Sequence, residues 1–289
     1  MKVFSPKALS AIASLIGGLG LIVSVNASAT PVTVGGVTFN DPLAAVQQHI
    51  ETTTVSETFI SGNGQSLLGY GSVDRVNGVA NYAGANKLYF ILDNYTSSDF
   101  VGGLGGSVNF TGGRIRVYLD PEITNLLAQC SNCGAGSNID LIDNGTLWAT
   151  FSGHEIGTLT TTPVAGLPVT LAAVGTLTGA SLSFGGAGLV DVNAVGTLAD
   201  VFAYLNTSAI DDLKGGFADV AYTTSGNNLV LNTNDNIAGC KAGTASAGQF
   251  CLAGTADFRG TTTVPEPASL ALIGIALFGM GGVSLRKRK

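Results

Sequence analysis

Between residues 30 and 263, apolar side chains recur mostly at every second position or in short runs, and this pattern constrains the fold more than any other feature. Alternation with a period of two is typical of strands with one buried face. The clearest example is 114–119, in which Ile115, Val117 and Leu119 would share one face. The sequence therefore predicts a mainly β chain.

Short segments bounded by Gly, Asn, Asp and Ser suggest many tight reversals, because these residues adopt the backbone angles that turns need. The Gly-containing turn signals include 111–113, 144–145 and 185–186. About eleven short strands separated in this way favour an antiparallel β-sandwich of two sheets. The predicted strands are 33–39, 55–61, 86–92, 107–110, 114–119, 146–152, 180–184, 189–192, 217–223, 228–232 and 254–259.

Two or three short helices are expected to interrupt the sandwich. The segments 42–51 and 121–129 both begin with Pro after an Asp that can cap a helix. The segment 197–205 is apolar at helical spacing. The Gly- and Ala-rich region 158–196 is interpreted as a loosely ordered insertion, and a domain boundary near 157–168 is an alternative.

The first 29 residues have the features of a signal peptide. Lys2 and Lys7 precede an apolar run over 8–25, and Ala27-Ser28-Ala29 provides a cleavage site with small residues. The Sec translocon and signal peptidase are the partners that such a segment implies. An uncleaved N-terminal anchor is the alternative, because the apolar run is somewhat long.

The C-terminus combines three features in a fixed order. Pro265-Glu266-Pro267 precedes the uncharged apolar stretch 268–285, and the chain then ends in a basic cluster. As a helix, 268–285 would span about 27 Å, which is enough for one crossing of a bilayer core. The basic cluster would stay on the cytoplasmic side; it consists of Arg286, Lys287, Arg288 and Lys289.

This tail resembles the PEP-CTERM sorting signal of Gram-negative bacteria. The resemblance covers about 25 of the 289 residues. It implies that exosortase, a membrane-embedded cysteine transpeptidase, recognises Pro265, Glu266 and Pro267 and cleaves near them. The inner-membrane intermediate would then be transferred to the outer surface or the extracellular matrix. A plain single-pass anchor with a Pro-rich stem is the alternative.

The resemblance divides the chain into a signal peptide (1–29), a β-rich exported ectodomain (30–262) and a sorting signal (263–289). Softer similarities to exported PEP-CTERM proteins occur at 110–120, 143–153 and 254–260. These ectodomains mostly lack an assigned activity, so the similarity suggests a surface or matrix protein without identifying a ligand.

Charge excludes one class of partner. The region 30–264 contains eighteen acidic and seven basic residues, a net charge of about −11. A domain this acidic repels phosphate groups, so nucleic-acid binding is not expected. Divalent cations and cationic matrix components remain compatible with it.

Four cysteines in an exported chain favour disulfides. The two local pairings, Cys130 with Cys133 and Cys240 with Cys251, are preferred among the three that four cysteines allow. A metal site and a redox C-x-x-C motif are the alternatives. The spacing of the second pair and the loop-like surroundings of the first do not favour them.

A search for catalytic residues finds no convincing set. The chain has two histidines, and adjacent residues on a strand, such as His154 and Glu155, point to opposite faces. Serine-hydrolase, phosphate-binding, dinucleotide and zinc-protease motifs are absent from the sequence. No enzyme, cofactor or metal is therefore predicted. Calcium binding at 232–243 or 140–145 is a weaker alternative, because neither segment completes an EF-hand loop.

The leading functional hypothesis is a structural or adhesive protein of a biofilm or floc, with exopolysaccharide as a candidate partner. The alternative is a carbohydrate-binding module of the sandwich type. Trp148, Tyr118 and Tyr70 would then form an exposed platform for sugars. A hydrolase is a third hypothesis, which needs two carboxylates about 5–10 Å apart in a cleft.

Overall fold

The computed structural model describes residues 31–40, 48–121, 123, 135–157, 168–177, 182–227, 247–248 and 250–261. The part of the chain from Thr30–Val264 forms one compact unit. The predicted signal peptide (1–29), the sorting signal (263–289) and the predicted strand at 228–232 lie outside the described residues.

Thirteen strands and two helices are described within this unit. The strands are β1 (Val32–Val34), β2 (Val37–Phe39), β3 (Gln48–Thr58), β4 (Ser66–Val76), β5 (Asn86–Val101), β6 (Gly103–Pro121), β7 (Thr146–His154), β8 (Val169–Leu177), β9 (Leu182–Val192), β10 (Ile210–Asp211), β11 (Phe217–Ala218), β12 (Val220–Asn227) and β13 (Phe250–Gly260). The helices are α1 (Ala135–Asp143) and α2 (Ala199–Leu205).

The main sheet closes on itself as an eight-stranded antiparallel barrel. The order of pairing is β3–β4–β5–β6–β8–β9–β12–β13, and β13 pairs again with β3. Strand β7 also lies between β6 and β9, and it pairs with other residues of these two strands than β8 does. Each of the eight strands of the closed circuit therefore has a partner on both sides.

The predicted sandwich is wrong, and the glycines explain why. Gly112 and Gly113 were expected to form a turn but lie inside β6, with φ of +75° and +100°. They let one 19-residue strand bend, so that its first part pairs with β8 and its second part with β7. Gly185 and Gly186 likewise lie within β9. Long, bent strands of this kind close a barrel, whereas a reversal at each glycine would build two shorter sheets.

The region interpreted as an insertion is part of the barrel wall. Both β8 and β9 lie entirely within 158–196, and they pair with each other residue by residue from Leu171 to Leu177 of β8. Because β7, β8 and β9 belong to one sheet, no domain boundary separates β7 from β8 near 157–168.

The predicted helices have different outcomes. The helix at 197–205 is confirmed by α2. The helix at 42–51 is wrong at 48–51, where the chain forms the start of β3, and 42–47 lies outside the described residues. Pro121 is the last residue of β6, and the predicted helix after it is described only at Ile123. Helix α1 was not predicted.

A small hairpin and α2 pack at one part of the barrel. Strands β1 and β2 pair through Gly35 and Gly36, and the ring of Phe39 lies 4.9 Å from that of Tyr204 in α2. The N–H of Gly35 donates to Asp200 Oδ2 at 2.7 Å, and Trp148 Nε1 donates to the carbonyl of Gly35 at 3.1 Å. The hairpin, α2 and β7 are therefore held together by polar as well as apolar contacts.

None of the helices in the described ranges has both the length and the apolar character that crossing a membrane requires. The segment 268–285, for which a transmembrane helix was predicted, lies outside those ranges.

Candidate functional site

The interior of the barrel contains a cavity in which the centre of a water molecule can occupy about 60 Å³. All eight strands of the closed circuit contribute to its lining, so the cavity lies inside the barrel. Most of the lining is apolar: Ile60, Leu67, Phe90, Leu92, Val108, Phe110, Ile115, Leu171, Ala173, Phe184, Leu252, Ala256 and Phe258. The polar residues of the lining are Glu57, Thr58, Tyr95, Tyr222 and Thr224.

Among the described residues that line this cavity, Glu57 is the one with a charged side chain. Strand β3 places it opposite Gly69 of β4 on one side and Leu252 of β13 on the other. Its side chain is only 6% exposed, and no described residue forms a hydrogen bond or ion pair with its carboxyl group. Burial therefore acts unopposed and raises the pKa of Glu57 from 4.5 to about 7.

Two tyrosines on opposite parts of the wall meet inside the barrel. The hydroxyl of Tyr222 in β12 donates to the hydroxyl of Tyr95 in β5 at 2.9 Å. Burial raises the pKa of Tyr95 to about 12, although the hydrogen bond from Tyr222 acts in the opposite direction. The negative charge of Glu57 raises the pKa of both tyrosines further, so the three side chains share one electrostatic environment.

A second, smaller cavity lies on the side of the barrel that Trp148 and Leu205 cover. Water centres can occupy about 40 Å³ there, and the described residues of its lining include no ionisable side chain. Phe90 and Phe258 line both cavities. The indole N–H of Trp148, which belongs to this lining, already donates to the carbonyl of Gly35.

His154 ends β7 and connects it to two other parts of the chain. Its Nδ1 lies 2.7 Å from Asp191 Oδ2 in β9, and its Nε2 lies 3.3 Å from Asp212 Oδ2. Partial burial alone would lower the pKa of His154, but its hydrogen bonds to the two aspartates outweigh this and raise the pKa above 6.5. The side chain of His154 is part-buried.

Asp212 is itself held by the backbone. It accepts hydrogen bonds from the N–H groups of Lys214 at 2.7 Å and Gly216 at 2.9 Å, and the first of these contributes most to lowering its pKa. Glu155 does not bond to His154, and its side chain pairs with that of Lys214. The cluster fastens the loop that contains Asp212 to the barrel.

A network of charges fastens α1 to the outer wall of the barrel. Arg114 makes two hydrogen bonds of 2.8 Å to Asp93, and Arg116 joins Asp93 at 3.1 Å to Asp143 at 2.6 Å. Tyr118 also donates to Asp143, and burial, followed by this hydrogen bond, raises its pKa to about 12. The buried Nε of Arg116 has no partner among the described residues, but the other hydrogen bonds of this network hold α1 on the barrel, which indicates a structural role.

The three aromatic residues of the predicted sugar platform are buried. Trp148, Tyr118 and Tyr70 are 1%, 3% and 4% exposed. Strand β7 has a bulge at Trp148, because Val117 and Tyr118 of β6 pair with Ala149 and Leu147, the residues on either side of it. The bulge interrupts the alternation of faces, and Trp148 is buried in the same cluster as Ala149. Tyr70 and Tyr118 pack in a second cluster beneath α1. These residues do not form the exposed platform that the carbohydrate-binding alternative requires.

The other predicted site residues cannot be compared with the structure. Cys130, Cys133 and Cys240, Pro265-Glu266-Pro267 and the basic cluster 286–289 lie outside the described residues. For Cys251, only the backbone, in β13, is described. The two disulfides therefore stay predictions.

Within the described residues, no three or more His, Cys, Asp or Glu side chains are arranged to hold a metal ion. Of the two segments considered for calcium, 140–145 spans the end of α1, where Asp143 bonds to Arg116. The other, 232–243, lies outside the described residues.

Sequence reasoning missed Glu57, although the pattern contains a signal for it. With a period of two, Glu57 shares a face with Val55 and Phe59 in the predicted strand 55–61. An acidic residue flanked on its own face by apolar side chains is unusual, because unpaired carboxylates are costly to bury. The cavity around it could not be predicted, since its lining comes from strands far apart in sequence.

Comparison with protein families identifies a motif at the end of the chain. Residues 263–289 match the family model of the PEP-CTERM protein-sorting motif. No curated protein and no solved structure matches the chain. The predicted sorting signal is thus confirmed, and it indicates an exported protein that exosortase sorts. The roles predicted for Pro265, Glu266 and Pro267 within the motif stay predictions.

Proposed function

We propose that this PEP-CTERM protein is a non-enzymatic component of the cell surface or extracellular matrix, and that it contributes to cohesion in biofilms or flocs. The sorting motif at residues 263–289 carries the proposal, because exosortase substrates are exported. Exopolysaccharide is the candidate polymer that the protein would meet there.

The closed barrel supports a role outside the cell. An open sheet presents unpaired backbone groups at its edges, which invite aggregation, and a closed sheet removes them. The long strands β5 and β6 pair over most of their length, from Asn86 with Pro121 to Val101 with Ser107. Such a unit can persist at a surface where it is concentrated next to many copies of itself.

Exposed apolar side chains offer a contact area for adhesion. Val101 and Val174 are 58% and 63% exposed, and both pair with Ser107, from opposite sides of β6. Residues in one such row project from the same face of a sheet. Leu104, at the start of β6, is 90% exposed beside them. We call Val101, Leu104 and Val174 the apolar patch.

The sorting part of the proposal is tested on the mature C-terminus. Mass spectrometry of the protein from the native host should show that the tail is lost near Pro265–Pro267 when exosortase is present and is retained to Lys289 when the exosortase gene is deleted. An intact tail in both strains would mean a simple anchored protein and would contradict the proposal.

The cohesive part is tested separately, by comparing strains that express variant chains at equal level. Replacing Leu104 and Val174 by Ser should reduce biofilm mass or floc size toward that of a deletion strain. Val195→Ser is the matched control, because Val195 is 89% exposed but lies outside the apolar patch, in the segment before α2. Unchanged cohesion in the deletion strain itself would overturn the role.

A further inference from the structure

The carboxyl group of Glu57 is buried in a cavity, and it has no hydrogen-bond or ion-pair partner among the described residues. Buried charges in proteins are normally paired, because an isolated carboxylate loses its hydration without compensation. Asp93 and Asp143, by contrast, are paired with arginines on the outer wall. Nothing in the packing of the barrel therefore accounts for an acidic side chain at this position.

We propose that the barrel interior binds a small hydrophobic amine, whose ammonium group pairs with the Glu57 carboxylate while its hydrocarbon part lies against the apolar wall. The cavity has the composition of a ligand site, which is a mainly apolar lining with few polar groups that fix orientation. Glu57 supplies the charge, and the apolar surface comes from residues such as Phe90, Leu92 and Leu252.

The backbone around Glu57 keeps the space open. Its cross-strand neighbour is Gly69, and a Cβ at that position would lie 3.0 Å from Glu57 Cγ and 3.0 Å from Leu92 Cγ. Any larger residue at Gly69 would push the Glu57 side chain or fill the cavity beside it. A glycine inside a strand is otherwise unfavourable, and close approach of another group is a common reason for one.

Charge favours a cation over the other ligands that a carboxyl group can bind. The region 30–264 carries a net charge of about −11, which attracts cations and repels anions. The titratable groups that face Glu57 from the described lining are the phenols of Tyr95 and Tyr222. Both phenols stay neutral at physiological pH, because burial raises the pKa of each. No basic residue of the described lining competes with an ammonium ion for the carboxylate.

The volume limits the ligand to a small molecule. A single water molecule needs about 10–15 Å³ on the measure by which this cavity has about 60 Å³. A linear or branched amine with about four or five carbon and nitrogen atoms is of this size. The inference does not depend on the proposed role in cohesion, because it concerns the interior of the barrel and not its surface.

The test uses n-butylamine as the probe and 1-butanol as an uncharged probe of the same size. The chain is isolated from its producing cells in a maltoside detergent with its glutamates ¹³C-labelled, and binding is measured by NMR at pH 8. We expect saturable binding of butylamine, at least tenfold weaker binding of butanol, and a fall of one unit or more in the titration midpoint of Glu57 when butylamine is bound.

Variants distinguish the proposed site from non-specific binding. Glu57→Gln should weaken butylamine binding at least tenfold, while Glu155→Gln, which removes an exposed acid paired with Lys214, should leave it unchanged. If Glu57→Gln does not fold, the wild-type chain still provides the test, because its affinity for butylamine should fall at least tenfold between pH 8 and pH 5. The proposal is overturned if butylamine does not bind or if butanol binds equally well. It is also overturned if the affinity for butylamine is the same in wild type and Glu57→Gln and the same at pH 8 and pH 5.

Discussion

The ring of Tyr95 lies against the backbone of Gly113 and occupies the space that the Cβ of any other residue at position 113 would need. Gly113 belongs to β6 and follows Gly112, which is the direct partner of Tyr95 across the β5–β6 ladder. Tyr222 has the same relation to Gly188, its partner in β9. Glycines on two parts of the wall thus make room for the hydrogen bond between the two tyrosines inside the barrel.

Gly113→Ala is expected to destabilise the barrel more than the backbone angle alone would. A Cβ at Gly113 would overlap the ring of Tyr95, and φ there is +100°. Gly103→Ala is the matched control, because Gly103 has φ of +101° and open space around it. Overpacking adds about 1–3 kcal/mol to the strain that both variants share. Urea unfolding of the two variants measures this difference, and equal losses of stability would contradict the contact.

Much of the β structure could be predicted because it depends on local alternation. Ile115 and Val117 are buried on one face, as the period-two pattern of 114–119 predicted. The closure of the barrel could not be predicted in the same way, because a glycine with positive φ serves a turn and a bend in a strand equally well. At Gly112 and Gly113 the chain bends and does not reverse, because β5 pairs with β6 on both sides of the bend.

The candidate site was still less accessible to sequence reasoning. The alternation of strand side chains predicts that His154 and Glu155 do not converge. It cannot predict the contacts of His154 with Asp191 and Asp212, which lie 37 and 58 residues further along the chain. Trp148 was expected in an exposed platform but is buried with Ala149, because a bulge in β7 interrupts the alternation of faces. In both places the deciding contact is made by a strand or loop that is distant in sequence.

His154→Gln is expected to lose more stability at low pH than at high pH. The folded protein holds the imidazolium proton more tightly than the unfolded chain, because Asp191 and Asp212 accept hydrogen bonds from it. The contribution of the charged ring is therefore fully present below pH 6.5 and is lost as the pH rises through the higher pKa of the folded state. Urea unfolding of wild type and variant at pH 5.5 and 8.5 checks this. A gap that widens with pH would show that the sign is wrong.

Asp219→Ala should strongly destabilise the fold. The buried Asp219 carboxylate accepts hydrogen bonds from the N–H groups of Val192, Thr207 and Ser208 at 2.7–2.9 Å, and it thereby joins β9 to the loop after α2. Each hydrogen bond to a charged group contributes about 1.5–3 kcal/mol, so we expect a loss of roughly 3 kcal/mol or more.

The control for this variant is a second aspartate in the same region of the chain. Asp211 accepts one hydrogen bond, from the N–H of Leu213 at 2.7 Å, and its side chain is exposed. Asp211→Ala should cost about 1 kcal/mol or less, because water can replace the lost acceptor. Thermal unfolding of both variants gives the comparison, and similar melting temperatures would show that the buried carboxylate does not hold the loop.

Glu57→Gln is expected to stabilise the protein relative to wild type as the pH rises. Burial raises the pKa of Glu57 from 4.5 to about 7, so the folded state binds this proton more tightly than the unfolded state does. Wild-type stability is therefore greatest below pH 4.5 with respect to this group, and it falls as the pH rises to about 7 by roughly 3 kcal/mol. Glutamine has no proton to lose at this position, so the variant lacks that decline.

The free energy of unfolding in urea, measured for both proteins at pH 4.5 and 8, should show a gap that shifts by this amount in favour of the variant. Glu155→Gln, at an exposed position, should run parallel to wild type over the same range. Parallel curves for Glu57→Gln as well would mean that the Glu57 carboxyl group is hydrated or paired in solution, and that the interior of the barrel is less dry than its lining indicates.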